Sequence, residues 1–205
     1  MTSILTGDII NSRKKSDAFW LQALKETLKT FGESPNNWQV YRGDSFQLEI
    51  KNAEQALYAA LKIKSYLKST EEIDVRIGIG IGKKAYEDVN ITESNGEAFI
   101  NSGFAFDNYL KKQNLAIKTP WQEIDEEINI ALDLALLTID SWTQNSAEVF
   151  NLSLENKEAT QKDIANILGI TQGRVSERQK RAGFEPIMNL ETRFRKIINQ
   201  KISEK

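Results

Sequence analysis

The segment Asp74-Val-Arg-Ile-Gly-Ile-Gly-Ile81 narrows the choice of fold more than any other stretch of the chain. It reads as a buried strand whose alternation is broken by Gly78, Gly80 and Gly82. Residues this small let another backbone or a ligand come close. The neighbouring segments set this strand in an order. Ser3 to Ile10 reads as a short buried strand interrupted by Gly7-Asp8. Ser16 to Phe31 carries Phe19, Trp20, Ala23, Leu24, Leu28 and Phe31 at helical spacing before Gly32 and Pro35 end it. Trp38 to Arg42 and Phe46 to Ile50 form two strand-like runs around Gly43-Asp44-Ser45, a hairpin signal. A second helix spans Ala53 to Lys68, a third Gly96 to Lys112, and Ala116 to Lys118 reads as a last short strand.

The order β-α-β-β-α-β is the split βαβ, ferredoxin-like arrangement. It predicts an α+β protein with an antiparallel sheet and helices on one face, occupying residues 1–119. Residues 120–156 read as a helical connector. Its acidic helix Glu123 to Trp142 carries an apolar stripe of Ile128, Leu132, Ala135, Leu136 and Ile139. Residues 157–205 read as an all-α domain.

Composition removes several chemistries. With no cysteine and no histidine among 205 residues, thiolate metal sites, cysteine nucleophiles and Ser-His-Asp hydrolysis all drop out. No apolar run reaches the ~18 residues of a membrane span, and no signal peptide opens the chain, so a cytoplasmic protein with no membrane partner is expected. Charge is uneven: from Thr160 onward ten Lys and Arg stand against five Asp and Glu, although the whole chain carries −2. Such asymmetry suggests that one end meets a polyanion.

Between Gln161 and Val175 the spacing is that of a helix-turn-helix. Ala165 permits close helix approach, Gly169 supplies the freedom of the sharp turn, Ile164, Leu168, Ile170 and Val175 fill a small core, and Thr171 caps the second helix. Duplex DNA is the expected partner. Gln172, Gly173, Arg174 and Ser176 are expected at base edges, and Arg178, Lys180 and Arg181 at phosphates. The stretch resembles the helix-turn-helix of sigma-factor region 4.

Asp8 ends the first strand and Asp44 sits at the hairpin tip, so adjacent strands would bring two carboxylates together in a site suited to Mg²⁺ and a nucleotide phosphate. The alternative is that each aspartate caps a turn. Thr6-Gly-Asp-Ile-Ile, Gly43-Asp-Ser-Phe46, Arg76-Ile-Gly-Ile-Gly-Ile-Gly82 and Gly96-Glu-Ala98 resemble the catalytic domain of class III nucleotide cyclases over residues 3–118. The resemblance implies two metal ions on Asp8 and Asp44 with the Ile9 carbonyl as a further ligand, and Asn101 as the nucleotide-binding asparagine. It also implies a departure, because Ala105 stands where the family has its transition-state arginine. Arg13, just after the first strand, is a further candidate for phosphate contact.

Over its whole length, with Thr6-Gly-Asp-Ile-Ile-Asn-Ser-Arg13 at one end and the helix-turn-helix at the other, the chain resembles the bacterial SatD family. The expected function is a DNA-binding transcriptional regulator, dimeric through its sheet face or the Glu123 to Trp142 stripe, with a cyclase-like domain that senses a nucleotide. The rival is a Mg²⁺-dependent nucleotide-converting enzyme localised by its DNA-binding tail.

Overall fold

The computed structural model describes residues 1–10, 12, 17–71 and 73–204. In chain order it runs β1 (Thr2–Ile9), α1 (Asp17–Lys29), β2 (Trp38–Tyr41), β3 (Ser45–Ile50), α2 (Ala56–Glu71), β4 (Val75–Gly82), the small β5 (Lys84–Tyr86) and β6 (Asn95–Gly96), α3 (Glu97–Phe104), and β7 (Leu115–Lys118). Five helices follow: α4 (Gln122–Ile139), α5 (Gln144–Glu155), α6 (Gln161–Leu168), α7 (Gln172–Arg181) and α8 (Phe184–Ser203). The protein is α+β.

The main sheet has the order β2-β3-β1-β4-β7. The first four strands pair antiparallel, as expected, but β7 lies parallel to β4, with Ile79 opposite Ile117. The expectation of a wholly antiparallel sheet therefore fails at the fifth strand. The chain leaves β4, crosses through α3 and returns in the same direction, as a helical crossover requires.

Helices also cover both faces rather than one. Leu5 and Ile9 of β1 and Val75, Ile77, Ile79 and Ile81 of β4 point into the main core with α1 and α2. On the other face Gly78, Gly80 and Gly82 receive α3 directly. A Cβ on Gly80 would lie 2.1 Å from the Ser102 nitrogen and 2.2 Å from the Ala98 carbonyl oxygen. The glycines therefore serve a neighbouring backbone, the first of the two uses open to them. Beyond Phe104 the expected long third helix widens into a π turn over Ala105–Tyr109, which sets Phe106 over Arg76 with the guanidinium carbon 5.8 Å from the ring centre.

The apolar stripe of α4 is spent inside the chain. Ile128, Leu132, Leu136 and Ile139 are buried in the main core and Ala135 packs against it, so this stripe is not free to hold a second subunit. The apolar side chains that α4 does expose are Ile130, Leu134 and Leu137. The same core extends across residues 119/120 and 156/157: it includes Phe150 of α5 and Phe194, Ile197 and Ile198 of α8, together with strands β1, β3 and β4. Two smaller clusters stand apart from it: Ile4, Ile91, Ala98 and Phe99 between β1 and α3, and Val149, Ile164, Ala165 and Val175 between α5, α6 and α7. No helix among the described residues is long and apolar enough to cross a membrane.

Candidate functional site

The residues expected to form a helix-turn-helix fold as α6 and α7, which share a small core with α5. Thr160 opens α6 with a reciprocal cap: its hydroxyl accepts from the Asp163 N–H at 3.2 Å, and the Asp163 carboxylate accepts from the Thr160 N–H at 2.9 Å. That arrangement satisfies two backbone donors that a helix start otherwise leaves open; the Thr160 hydroxyl, which donates to the Asp163 carboxylate at 2.6 Å, and then the Thr160 N–H hold the Asp163 carboxyl below its ordinary value. Gly169 turns the chain at φ 63°, where a side chain would be strained. Thr171 then accepts from the Arg174 N–H at 3.3 Å and starts α7. Leu168 and Ile170 close the small core from the turn side, and Val149 closes it from α5. The contribution of Val149 was missed because it lies outside the helix-turn-helix spacing.

Of α7, only Val175 is fully buried. Gln172, Gly173, Arg174, Ser176, Lys180 and Arg181 are exposed, and Arg178 is half-buried. The two flanks of the helix differ. On one, Gln179 bonds Gln161 of α6 and Ser153 of α5. On the other, Arg174, Arg178 and Arg181 border a cleft against the start of α5. Arg178 reaches Glu148 at 3.4 Å and Arg181 pairs with Glu177 at 2.5 Å. Part of the C-terminal positive charge is answered within the chain. Arg193 meets Glu127 and Lys201 meets Glu123 on the acidic α4, each at 3.3 Å, and Arg195 meets Glu191. The two pairs to α4 are exposed and contribute little, whereas Glu191 is buried.

In the main sheet the antiparallel register brings Asp8 opposite Ser45 and opposite Arg76. The Ile9 N–H donates to the Asp44 carbonyl oxygen at 3.1 Å. Asp8 and Asp44 are therefore neighbours, as the strand order requires. Each carboxylate already has a partner. Nε and an Nη of Arg76 donate to the two oxygens of Asp8, and the Ser12 hydroxyl donates to Asp44 at 2.6 Å. Donating to Asp8 raises the pKa of the Arg76 guanidinium, and the charges of Asp8 and Asp44 add to it. Burial raises the pKa of the Tyr41 hydroxyl nearby; Arg42 opposes this, while the charges of Asp8 and Asp107 reinforce it.

The donor set of two carboxylates and a hydroxyl is of the hard-oxygen kind that Mg²⁺ takes, but both oxygens of Asp8 are engaged by a guanidinium. As arranged, these residues do not fit a divalent ion, and among the described residues no group of three or more Asp and Glu is placed to hold a metal ion. Arg76 was quoted in the strand motif and given no role. Its place in alternation with Gly78, Gly80 and Gly82 was the available signal that it shares a face with Asp8.

Asn101 is not brought to this pair. Its amide donates to the Ile81 carbonyl at 2.7 Å, five residues along β4 from Arg76, or about 16 Å at ~3.3 Å per residue. Ala105 is wholly buried, so nothing longer fits there without displacing its neighbours. Arg13 lies outside the described residues.

A model of the SatD family matches residues 3–198. Neither a curated protein nor a solved structure matches.

Proposed function

This chain belongs to the SatD family, and from that premise we propose that it is a bacterial DNA-binding transcriptional regulator with a cyclase-like, nucleotide-sensing N-terminal half. The observation that carries the reading is α7 itself: a helix capped at Thr171, seated on Val175 alone, with Gln172, Gly173, Ser176 and Lys180 open to solvent. Helix-turn-helix proteins offer a second helix of this kind to the major groove. In this reading the three-helix unit of α5, α6 and α7 is of the sigma region 4 type, Gln172 and Ser176 read base edges and Lys180 meets phosphate. The order β2-β3-β1-β4, antiparallel throughout, supports reading the N-terminal half as ferredoxin-like.

A single helix-turn-helix reads few base pairs, so the active species in this proposal is a homodimer on a near-palindromic site. The test is fluorescence anisotropy of the full chain on a site selected from random duplexes, over a salt series. Binding that weakens with salt, and a Gln172→Ala variant that loses about 1–3 kcal/mol of preference for that site, support the reading. No selection of any duplex above background removes it.

The adjacency of Asp8 and Asp44 favours a second reading, a Mg²⁺-dependent nucleotide-converting enzyme. That reading requires Arg76 to leave Asp8 and does without the arginine that Ala105 replaces. Incubating the full chain with ATP or GTP and Mg²⁺ and resolving the nucleotides by chromatography separates the two: a new nucleotide product supports the enzyme, and binding by calorimetry without product supports the sensor.

A further inference from the structure

The cleft beside α7 has a composition that DNA reading through the outer face of that helix does not account for. It has a volume of about 510 Å³ and is bordered by Arg174, Arg178 and Arg181 on one side and by residues of the α4–α5 junction, among them Thr143 and Asn145, on the other. The three arginines stand at i, i+4 and i+7 of one helix and so project along one flank. Like charges at this spacing repel one another unless an anion answers them. Inside the protein they have Glu148, against Arg178 at 3.4 Å, and Glu177, against Arg181 at 2.5 Å and itself on the cleft wall. Arg174 is exposed. Facing them is the first turn of α5, where the Thr143 hydroxyl already accepts from the Ser146 N–H at 3.3 Å, while the N–H groups of Gln144 and Asn145 have no partner further back in the helix.

We propose that this cleft is a phosphate seat, in which Arg174, Arg178 and Arg181 hold one phosphate group against the start of α5. Guanidinium groups suit this ligand because their planar donors match phosphate oxygens two at a time. The proposal rests on the DNA reading for its favoured source, a backbone phosphodiester at the groove wall beside α7. It moves Arg174 from base edge to backbone. The outer face of α7, with Gln172, Ser176 and Lys180, then enters the groove while the flank grips its rim.

Asn145→Asp places a carboxylate on the cleft wall at a helix start, where a negative charge is well tolerated. Asn199→Asp, at an exposed position of α8, changes net charge equally outside the cleft and serves as control. The full chain and both variants are titrated with a mixed-sequence duplex over a salt series, and separately with pyrophosphate by thermal shift. For a seated backbone phosphate, Asn145→Asp weakens duplex binding about five- to tenfold and lowers the slope of log K against log salt by about 0.9, while the control does neither. If the duplex does not bind, but pyrophosphate raises Tm in the parent and not in Asn145→Asp or Arg174→Ala, the seat stands with a free phosphorylated ligand and the DNA reading falls. If the duplex binds the parent and Asn145→Asp alike, the seat is overturned and the DNA reading stands. If neither probe binds the parent, both are overturned.

Discussion

The side-chain amide of Asn129 on α4 bonds the backbone of Ile117 on β7 twice, accepting from its N–H and donating to its carbonyl, at 2.9 Å in each case. In geometry this is what the next strand of the sheet would do. β7 is the last strand in the order, and an open strand edge invites pairing with another chain. Asp125 continues the cover by accepting from the Thr119 N–H at 2.6 Å.

Asn129→Leu keeps the bulk and removes both bonds, leaving two backbone groups of a fully buried residue unanswered. A loss of about 2 kcal/mol is expected, with the Ile117 amide exchanging faster with solvent deuterium. Unchanged exchange at Ile117 would show that water or another group covers this edge.

Lys64 is buried and bonds Asp74 at 2.7 Å and the Val75 carbonyl at 2.9 Å, with Asp140 at 3.8 Å. Burial pushes the Asp74 carboxyl up, but the charge and hydrogen bond of Lys64, with help from Lys68 and the Val75 N–H, outweigh it and hold the carboxyl below its ordinary value. A carboxyl lowered in this way stabilises the fold above the ordinary carboxylate range, and that contribution is lost as pH falls through the lowered value. Asp140 is raised, chiefly by burial. It acts in the opposite sense, with a contribution present in acid and lost as pH rises. Lys64→Met removes the counter-charge from both, so a loss of about 3–5 kcal/mol is expected at neutral pH. Measured by thermal melts, the gap between variant and parent should narrow on acidification as the abandoned carboxylates take up protons. A gap that widens in acid contradicts this assignment.

Arg76→Gln should release both oxygens of Asp8 beside Asp44. The expected result is a Mg²⁺-dependent rise in Tm that the parent lacks and that Asp44→Asn, added to the same chain, abolishes. If Arg76→Gln shows no response to Mg²⁺, the two aspartates are structural, and the Asp8–Arg76 pair is a tie between β1 and β4.

Gly80→Ala and Gly103→Ala form a matched pair at the junction of β4 and α3. The first places a methyl group against the α3 backbone and should cost about 3 kcal/mol. The second meets nothing within 4 Å and should stabilise by up to about 1 kcal/mol, as alanine does in a helix interior. Urea midpoints of the two variants moving in the same direction would show that α3 does not sit on the glycines as described.

The strand order and the adjacency of Asp8 and Asp44 were legible in the sequence because the hairpin turn, the apolar spacing and the glycine run are local signals. The turn geometry at Gly169 and the cap at Thr171 were legible for the same reason. What the sequence concealed depends on distant pairing. Asp8 and Arg76 stand 68 positions apart, and only the β1–β4 register joins them. The helix cover on the second face was hidden because glycines admit a backbone and a ligand equally well. The fate of the α4 stripe was hidden because an apolar face does not state whether its own chain or another will cover it.

The continuous core has a consequence for how such a chain is inherited and cut. Trp142 donates to the Ala182 carbonyl at 2.9 Å, and the rings of Trp142, Phe150 and Phe184 stand in series, 4.5 and 5.2 Å apart. These contacts join the end of α4 to α5 and to the start of α8, while Phe194 and Ile198 fill the same core as the strands. A cut near residue 156 removes those two side chains from the common core, where α8 packs against α2, and leaves a hole where they were. The N-terminal half and the pair α6–α7 are not exchangeable cassettes on a tether. A replacement for α6 and α7 that ran on to a different C-terminus would have to bring with it the last helix that completes the other half, so the two parts of this molecule can change only together.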